Sequence, residues 1–345
     1  MTEQSQASRH SYTPGLVSTI IPVYNRAGLL REAVQSVLAQ SHRPIEILIV
    51  NDGSTDTTAA VAEGLAAEHP QLIRVLHQDN AGPGVARQRA LAEARGEYIQ
   101  FLDSDDLLLS SKFERQIALL LENPDCQVCY GISHQQDLGD TPVLHPEPLK
   151  GTGQPRSQLF PLLLVERWWS THTPLYRHSA LHGLGPWKPW INEEDWEYEA
   201  RLAATGARLI WLPESVSLTR RDPQEQHLSH DGSSQPRKLA HRALARWSIY
   251  RSALAAGLSH DLPEMREFAR YSFLLCRQCA QAGLPDQAAS LHDLASQAAR
   301  CDPRLQGDLR LFGLLAQAVG WRRASIWSER LNRWRPSRRQ SHGRS

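Results

Sequence analysis

Three carboxylates stand within four residues at Asp103, Asp105 and Asp106, directly after the apolar-rich run Ile99–Leu102. Such a run followed by clustered acids indicates a buried strand whose carboxyl end opens into a polar site. Carboxylates this close repel one another, so they are stable at neutral pH when a cation lies among them or water solvates them. The cluster predicts a divalent cation that holds a diphosphate. The alternative is an acidic helix start, since Asp and Ser cap helices well.

The elements that must position this cluster alternate along the chain. The pattern predicts strands at 16–25, 45–50, 73–77 and 99–102, with helices between them. Alternation of this kind implies an α/β fold, with a mostly parallel sheet and helices on both faces.

Parallel strands end at one edge of a sheet, and ligands of open α/β sheets bind at that edge. We therefore expect Tyr24, Asp52 and the acidic cluster to line one cleft. A tyrosine stacks on a nucleobase, and an aspartate beside it accepts the imino hydrogen of the base. Glycine-rich phosphate loops of the usual nucleotide-binding kinds do not occur in the sequence, so nucleotide binding must rely on the metal.

Composition places the chain among ordinary globular proteins. Of its 345 residues 41% are hydrophobic and 22% charged, and the net charge of +1 argues against a nucleic-acid-binding protein. The polar start Met1–Tyr12 lacks the apolar core of a secretory signal, and Leu309–Trp321 is too short to span a bilayer. These features predict a soluble protein of the cytoplasm.

Four segments in order resemble the signatures of family 2 glycosyltransferases with the GT-A fold. They are Ile21–Asn25, Val50–Asp56, Asn80–Arg87 and Leu102–Asp106. The resemblance covers about residues 16–220 and implies an inverting enzyme that uses a nucleotide-diphospho-sugar. Gln88 and Ala90 depart from it, since the family usually has Asn and Gly at these two positions.

The same resemblance implies roles for single residues. It assigns Mn²⁺ or Mg²⁺ to Asp103 and Asp105, and it makes Asp195 the catalytic base. The residues implied to bind the nucleotide-sugar are Pro22, Tyr24, Asn25, Asp52, Arg87, Asp103 and Ser104.

An inverting transfer needs one general base, which takes the proton of the acceptor hydroxyl. Asp195 follows Glu194 in an acidic stretch, and the alternative is that these acids only stabilise the start of a helix. Arg201, on the same helix, is the expected ion-pair partner of Asp195.

Later segments leave alternatives open. The stretch Trp168–Pro174 is either a sugar-stacking surface or part of the core, and Gly139–Pro155 is predicted to be a loop. A further strand is expected at 207–212, ahead of a polar segment. There His227 and His230 either complete the metal shell or lie in a solvated loop.

The predicted organisation has four parts. Residues 1–14 form a disordered N-terminus, 15–232 the GT-A domain, 233–329 an all-helical region and 330–345 a basic disordered tail. The tail is either solvated or in peripheral contact with the inner face of an anionic membrane.

The sequence as a whole predicts an inverting, metal-dependent glycosyltransferase. It would move a sugar from a UDP- or dTDP-type donor to a hydroxyl of a glycan, lipid-linked or protein acceptor. One alternative is a non-catalytic nucleotide-sugar-binding protein. The other is a nucleotidyltransferase, although the glycine- and lysine-rich first loop of those enzymes is missing from Pro22–Gly28.

Overall fold

The computed structural model describes residues 12–222 and 235–334 of the chain. These residues form two compact units, one on each side of the gap. Residues 1–11, the segment that contains His227 and His230, and residues 335–345 lie outside the described residues. The predictions that concern them are therefore not addressed by the structure.

One sheet of nine strands organises the first unit. The strands are β1 (Thr13–Val23), β2 (Ile45–Asp52), β3 (Ile73–Gln78), β4 (Gly96–Phe101), β5 (Leu107–Leu108), β6 (Val128–Asp137), β7 (Val143–Pro148), β8 (Leu175–Arg177) and β9 (Leu209–Arg221). Their order is β3-β2-β1-β4-β8-β6-β9-β5, and β7 pairs with β6 outside this path. The first four strands are parallel, as predicted, and the sheet becomes mixed beyond β4.

Helices cover this sheet because alternate strand residues point to opposite faces. The helices of the unit are α1 (Ala27–Leu38), α2 (Thr58–Glu68), α3 (Pro83–Glu93), α4 (Lys112–Glu122), α5 (His178–Leu181) and α6 (Glu194–Ala204). The main core joins one face of β1 and β2 to α1, α2 and α4. Elsewhere, the Phe101 ring at the end of β4 lies 5.1 Å from Trp187 and 6.4 Å from Tyr198 of α6, centroid to centroid.

Two strands differ from the prediction. β7 lies inside the expected loop 139–155, and it tolerates its prolines because it is an edge strand. β9 continues to Arg221 rather than ending at residue 212. Its pairing with β6 shifts register around Ile132, and this irregularity lets the strand pass Pro213.

The boundaries predicted for the chain ends also shift. β1 begins at Thr13, inside the N-terminal stretch expected to be disordered, because the Thr13 amide donates to the Arg95 carbonyl at 2.8 Å and the Gly15 amide to Glu97 at 2.9 Å. The last helix extends to Trp334, inside the predicted basic tail, since no helix-breaking residue occurs before Pro336.

The second unit contains helices only among its described residues. They are α7 (Pro236–Ala255), α8 (Pro263–Gln281), α9 (Pro285–Ala298), α10 (Pro303–Val319) and α11 (Trp321–Trp334). Four of these helices begin with proline, whose fixed φ suits the first helical position and whose missing N–H is not needed there. Asp302 caps α10 by accepting from the Leu305 amide at 3.1 Å.

None of the helices in the described part of the chain has the length and apolar character that crossing a bilayer requires.

Candidate active site

The loop after β1 is fixed to the loop after β2 through Asn25. The side-chain oxygen of Asn25 accepts from the Thr55 backbone amide at 2.9 Å, and the backbone amide of Asn25 donates to the Ser54 hydroxyl at 3.1 Å. Asn25 adopts a left-handed backbone conformation with φ 51°, which asparagine tolerates better than most residues. The nearby Tyr24 side chain is 46% exposed, while Pro22 is buried within β1. Tyr24 is thus the residue of this group that a ligand could reach by stacking.

Asp52 ends β2 and holds the segment that leads into α3. Its buried carboxylate accepts from the amides of Ala81 and Gly82 at 2.9 and 2.8 Å and from the Gln78 amide group at 2.7 Å. A carboxylate has about four acceptor positions, so these bonds leave room for a further donor such as a base imino group. In the structure, Asp52 therefore orders the 80–82 loop.

A group of metal-ligand atoms converges after β4. Oxygens of Asp103 and Asp106 and a ring nitrogen of His172 lie within 4.8 Å of one another. His172 is fully buried, and its Nδ1 lies 2.7 Å from Asp106 Oδ2 without the alignment of a hydrogen bond. Two carboxylates and an imidazole whose ligand atoms lie this close together fit a divalent cation such as Mn²⁺.

Asp105, the second predicted metal ligand, is not among these three residues. Burial, with the neighbouring charges of Asp106 and Asp103, raises the pKa of Asp105 to about 7. The backbone oxygen of Asp105 accepts from the Arg220 side chain, and the Arg220 amide donates to Asp106 at 2.8 Å. Arg220 therefore holds the acidic loop in place, and the metal assignment of Asp105 remains a prediction.

Arg87 of α3 joins the acidic loop to α6. Its buried guanidinium donates to Asp103 at 2.7 Å and to Glu194 at 3.0 Å, and it lies 5.0 Å from the centroid of the Trp187 ring. The carbonyl of Lys188 lies so near to Gly84 that a Cβ there would be 2.5 Å from it. The close approach of α3 to the segment before α6 therefore requires glycine at this position.

Asp195, the predicted base, lies one residue beyond Glu194 on α6 and is 24% exposed. Its Oδ2 pairs with Arg167 at 2.9 Å and accepts from Thr171 at 3.3 Å, and its Oδ1 accepts from the Trp196 amide at 2.7 Å. Burial opposes ionisation of Asp195, but Arg167 and Arg87 outweigh it, so its pKa lies below the usual range.

The adjacent carboxyl has the opposite shift. Burial and the charge of Asp195 raise the pKa of Glu194 to about 7, against the opposing effect of Arg87. Glu194 is also buried, so the two neighbours differ in both protonation and access.

The sequence did not indicate Arg167 or His172 as site residues. Both lie in the loop 165–174, between a short 3₁₀ helix and β8. The available signal was a group of polar residues within an apolar aromatic stretch, which predicts buried polar contacts. Arg201, the expected partner on α6, pairs with Glu197 at 2.8 Å instead, one helical turn away.

The tryptophans of this loop belong to the core. Trp168 and Trp169 are each 1% exposed, so they cannot provide a stacking surface for sugar rings. Trp169 instead donates its indole N–H to Glu199 at 2.9 Å, which satisfies its polar atom inside the core. The core alternative is therefore correct for these two residues.

Comparison with known sequences identifies a matching family. The model of glycosyl transferase family 2 matches residues 18–181. An uncharacterized glycosyltransferase of Rickettsia felis is 46% identical over 107 residues, which are 31% of this chain and 17% of that protein. The uncharacterized glycosyltransferase YibD of Escherichia coli is 39% identical over 107 residues, 31% of each chain. The match thus spans less than a third of these two relatives.

Solved structures with the same fold cover nearly the whole chain. TarS 1-349 of S. aureus, in complex with UDP-GlcNAc, aligns with a TM-score of 0.66 and 18% identity over 92% of this chain and 91% of that one. The mannosyltransferase PcManGT of Pyrobaculum calidifontis, in complex with GDP-Man and Mn²⁺, aligns with a TM-score of 0.52 and 18% identity over 95% and 89%. These likenesses confirm the predicted fold class, a GT-A-type α/β sheet followed by helices. The match to the model of glycosyl transferase family 2 confirms the predicted family resemblance over residues 18–181.

Proposed function

We propose that this protein is an inverting glycosyltransferase that moves a sugar from a nucleotide-diphospho-sugar to an acceptor hydroxyl. The observation that carries the proposal is the chain of contacts from Asp103 through Arg87 to Glu194, next to Asp195. It connects a group of acids suited to a metal and diphosphate with a partly exposed, ionised carboxylate suited to act as base. The match of residues 18–181 to the model of glycosyl transferase family 2 supports the same reaction class.

The donor nucleotide would lie at the carboxyl ends of β1 and β2. The exposed Tyr24 ring would stack on the base, and Asp52 would accept its imino hydrogen. This chemistry favours uridine- and deoxythymidine-type donors, and the UDP-GlcNAc complex of TarS supports it. The GDP-Man complex of PcManGT demonstrates a guanine nucleotide on the same fold, so the preference is a matter for measurement.

A divalent cation would be held by Asp103, together with Asp105 as predicted and with Asp106 and His172 as the geometry favours. Mn²⁺ or Mg²⁺ bound there would offset negative charge on the departing diphosphate. Asp103 is 32% exposed and can serve both Arg87 and a ligand. Ser104 is buried, so its predicted contact with the donor would come from its backbone or after a local movement.

Asp195 would take the proton of the acceptor hydroxyl. Its partial exposure gives an acceptor access, and its lowered pKa keeps it ionised across the neutral range. A carboxylate that acts directly on the hydroxyl requires no covalent intermediate, so the anomeric configuration would invert.

The acceptor would be a glycan, a lipid-linked sugar or a protein. A location in the cytoplasm, and a peripheral membrane contact through the basic C-terminal end, belong to the same proposal. The even charge balance makes nucleic acid an unsuitable partner.

A donor screen tests the proposal. UDP-, dTDP- and GDP-sugars are added to the full chain with and without Mn²⁺, and thermal unfolding is followed. A donor present at a hundredfold over its dissociation constant stabilises a protein by about 2.7 kcal/mol. We expect a metal-dependent rise in the melting temperature with a UDP- or dTDP-sugar, followed by slow release of the sugar from that donor.

Asp105→Ala and His172→Gln provide the matched variants, since Asp105 belongs to the ligand set predicted from the sequence and His172 to the set that the geometry favours. If only one of the two variants loses the metal-dependent rise in melting temperature, the residue changed in that variant belongs to the set that binds the metal. Unchanged binding of donor and Mn²⁺ in both variants would remove the metal from the proposal. Binding without any turnover would favour the non-catalytic alternative, and release of pyrophosphate from a nucleoside triphosphate would favour the nucleotidyltransferase.

A further inference from the structure

Arg167 holds two carboxylates of α6 at once. Its Nε and one terminal nitrogen donate to the two oxygens of Glu199 at 2.8 and 2.7 Å, and its other terminal nitrogen lies 2.9 Å from Asp195 Oδ2. Asp195 and Glu199 are four residues apart, so they lie on one face of the helix. The Arg167 side chain is only 10% exposed. A planar guanidinium in this position fixes both distance and direction.

Glu199 is itself firmly held by the core. Its Oε1 accepts from the Trp169 indole at 2.9 Å and from the Tyr176 hydroxyl at 3.4 Å, and its side chain is 3% exposed. With these bonds and the two from Arg167, the carboxylate has little freedom to move. Glu199 therefore acts as an anchor, and Arg167 transmits that fixed position to Asp195.

The Asp195 carboxylate is consequently restrained on two sides. Arg167 and Thr171 contact Oδ2, and Trp196 contacts Oδ1. The 24% of the Asp195 side chain that is exposed to solvent is the part open to an acceptor. A restrained carboxylate that is only partly exposed can accept a proton from a limited range of directions, and such fixed geometry favours general-base catalysis.

We propose that Arg167 is a positioning residue for the base. It orients Asp195 toward the acceptor hydroxyl, with Glu199 as its anchor. This inference rests on the proposed function, because it assumes that Asp195 is the base. A buried ion pair gives little net stability by itself, so the extension of Arg167 beyond Glu199 to Asp195 has a better explanation in catalysis than in folding.

A double-mutant cycle on the whole 345-residue chain tests the inference, with transfer or donor hydrolysis as the assay. Arg167→Met is measured alone and in the Asp195→Asn background. We expect the single change to lower kcat by up to about 100-fold, with the KM of the donor nearly unchanged. In the Asp195→Asn background the same change should have an effect of less than about threefold, because the group it orients is already inactive.

Arg201→Met is the matched control. Arg201 also grips a buried α6 carboxylate, that of Glu197, with two bonds of 2.8 Å. Its loss should disturb the helix to a similar degree and leave kcat within about threefold of the unaltered protein. If Arg167→Met does not fold, Arg167→Lys takes its place. Lysine keeps the positive charge but lacks the planar set of donors that contacts Glu199 and Asp195 together, so it should give an intermediate kcat.

The outcomes are distinguishable. If Arg167→Met lowers kcat by the same factor in the unaltered protein and in the Asp195→Asn background, Arg167 has a structural role and the inference is wrong. Unchanged kcat in Arg167→Met also overturns it. Full activity of Asp195→Asn alone would instead refute the proposed base, whatever the result for Arg167.

Discussion

Arg87 and Arg167 occupy equivalent places on two sides of the candidate site. Each is an arginine at most 10% exposed between two carboxylates, and each contacts one of two adjacent acids on α6. They differ in what surrounds the acid. Glu194 is buried beside Arg87 and has a pKa raised to about 7, while Asp195 beside Arg167 is partly exposed and has a lowered pKa.

The comparison teaches how one helix start provides two different carboxyl groups. Neighbouring acids cannot both be ionised at low cost in a buried place, so the environment separates their pKa values. Asp195, which a substrate can reach, is the ionised carboxylate of the pair. Glu194, which is buried, is the one more easily protonated. A general base must first be within reach of the proton that it takes, and only then does its pKa matter. Access therefore favours Asp195 as the base, although the pKa of Glu194 is nearer to 7.

The sharpest test of this comparison is Asp195→Asn. Asn keeps the shape and the hydrogen bond from Arg167 but cannot take a proton. A general base contributes about 100- to 10,000-fold to the rate, so kcat should fall at least 100-fold with donor and metal binding retained. Steady-state kinetics with calorimetric donor titration measure both. Turnover equal to that of the unaltered protein would assign the base to another residue.

Arg87→Met should have the next largest effect, here on stability. It leaves Asp103 and Glu194 without their common cation, and removal of one partner from a buried ion pair typically costs about 3–5 kcal/mol. Urea denaturation followed by circular dichroism gives the change in unfolding free energy. Arg115→Met is the control, because Arg115 and Glu214 form an exposed pair whose loss should not shift the midpoint measurably. A small effect of Arg87→Met would show that water reaches these acids.

Lys112 extends the comparison to a buried cation whose hydrogen-bond acceptors are neutral. Its ammonium donates to Gln116 at 2.5 Å and to the Thr173 carbonyl at 3.0 Å, and burial lowers its pKa to about 7. The native state thus binds fewer protons than the unfolded chain between about pH 7 and the usual lysine pKa of 10.5. The destabilisation is complete below this window and disappears as the pH rises through it.

Lys112→Met should therefore stabilise the protein at pH 7, by on the order of 1–3 kcal/mol, and the gain should shrink toward pH 10. Urea denaturation at pH 7, 8.5 and 10 provides the measurement. A gain that does not depend on pH would mean that packing, rather than charge, explains the difference. A loss at every pH would mean that the two hydrogen bonds outweigh the cost of burying the ammonium.

Glu194→Gln should have the smallest effect on rate. Gln keeps an acceptor for Arg87, and the group removed is not exposed to substrate, so kcat should fall less than about tenfold. A pH–rate profile checks the result: Glu194, with a pKa of about 7, is already neutral at the low pH where Asp195 ionises, so Gln should leave the acidic limb of the profile in place. A collapse of kcat in Glu194→Gln with normal turnover in Asp195→Asn would reverse the roles given to the two acids.

Much of the first unit could be predicted from local patterns. The strands at 45–50 and 73–77 and the parallel order of the first four strands follow from hydrophobic runs, turn residues and alternation, all of which are properties of short segments. The acids of the site were also evident, because three carboxylates directly after an apolar run stand out in the sequence. Pro213 and the prolines of β7 misled the strand prediction, since tolerance of proline depends on pairing partners that the sequence does not specify.

The sequence by itself determined which residue types were available for chemistry: the acids after β4, Asp52, Arg87 and the Glu194–Asp195 pair. Only the tertiary structure decided their partners. Asp103 meets His172 and Asp195 meets Arg167 because β8 pairs antiparallel with β4 and carries the loop 165–174 to the sheet edge. Partner choice across such separations depends on strand order and side-chain packing rather than on spacing. Arg201, by contrast, lies four residues from Glu197 and six from Asp195, so helical spacing pairs it with Glu197, and the candidate base pairs with an arginine from a distant loop.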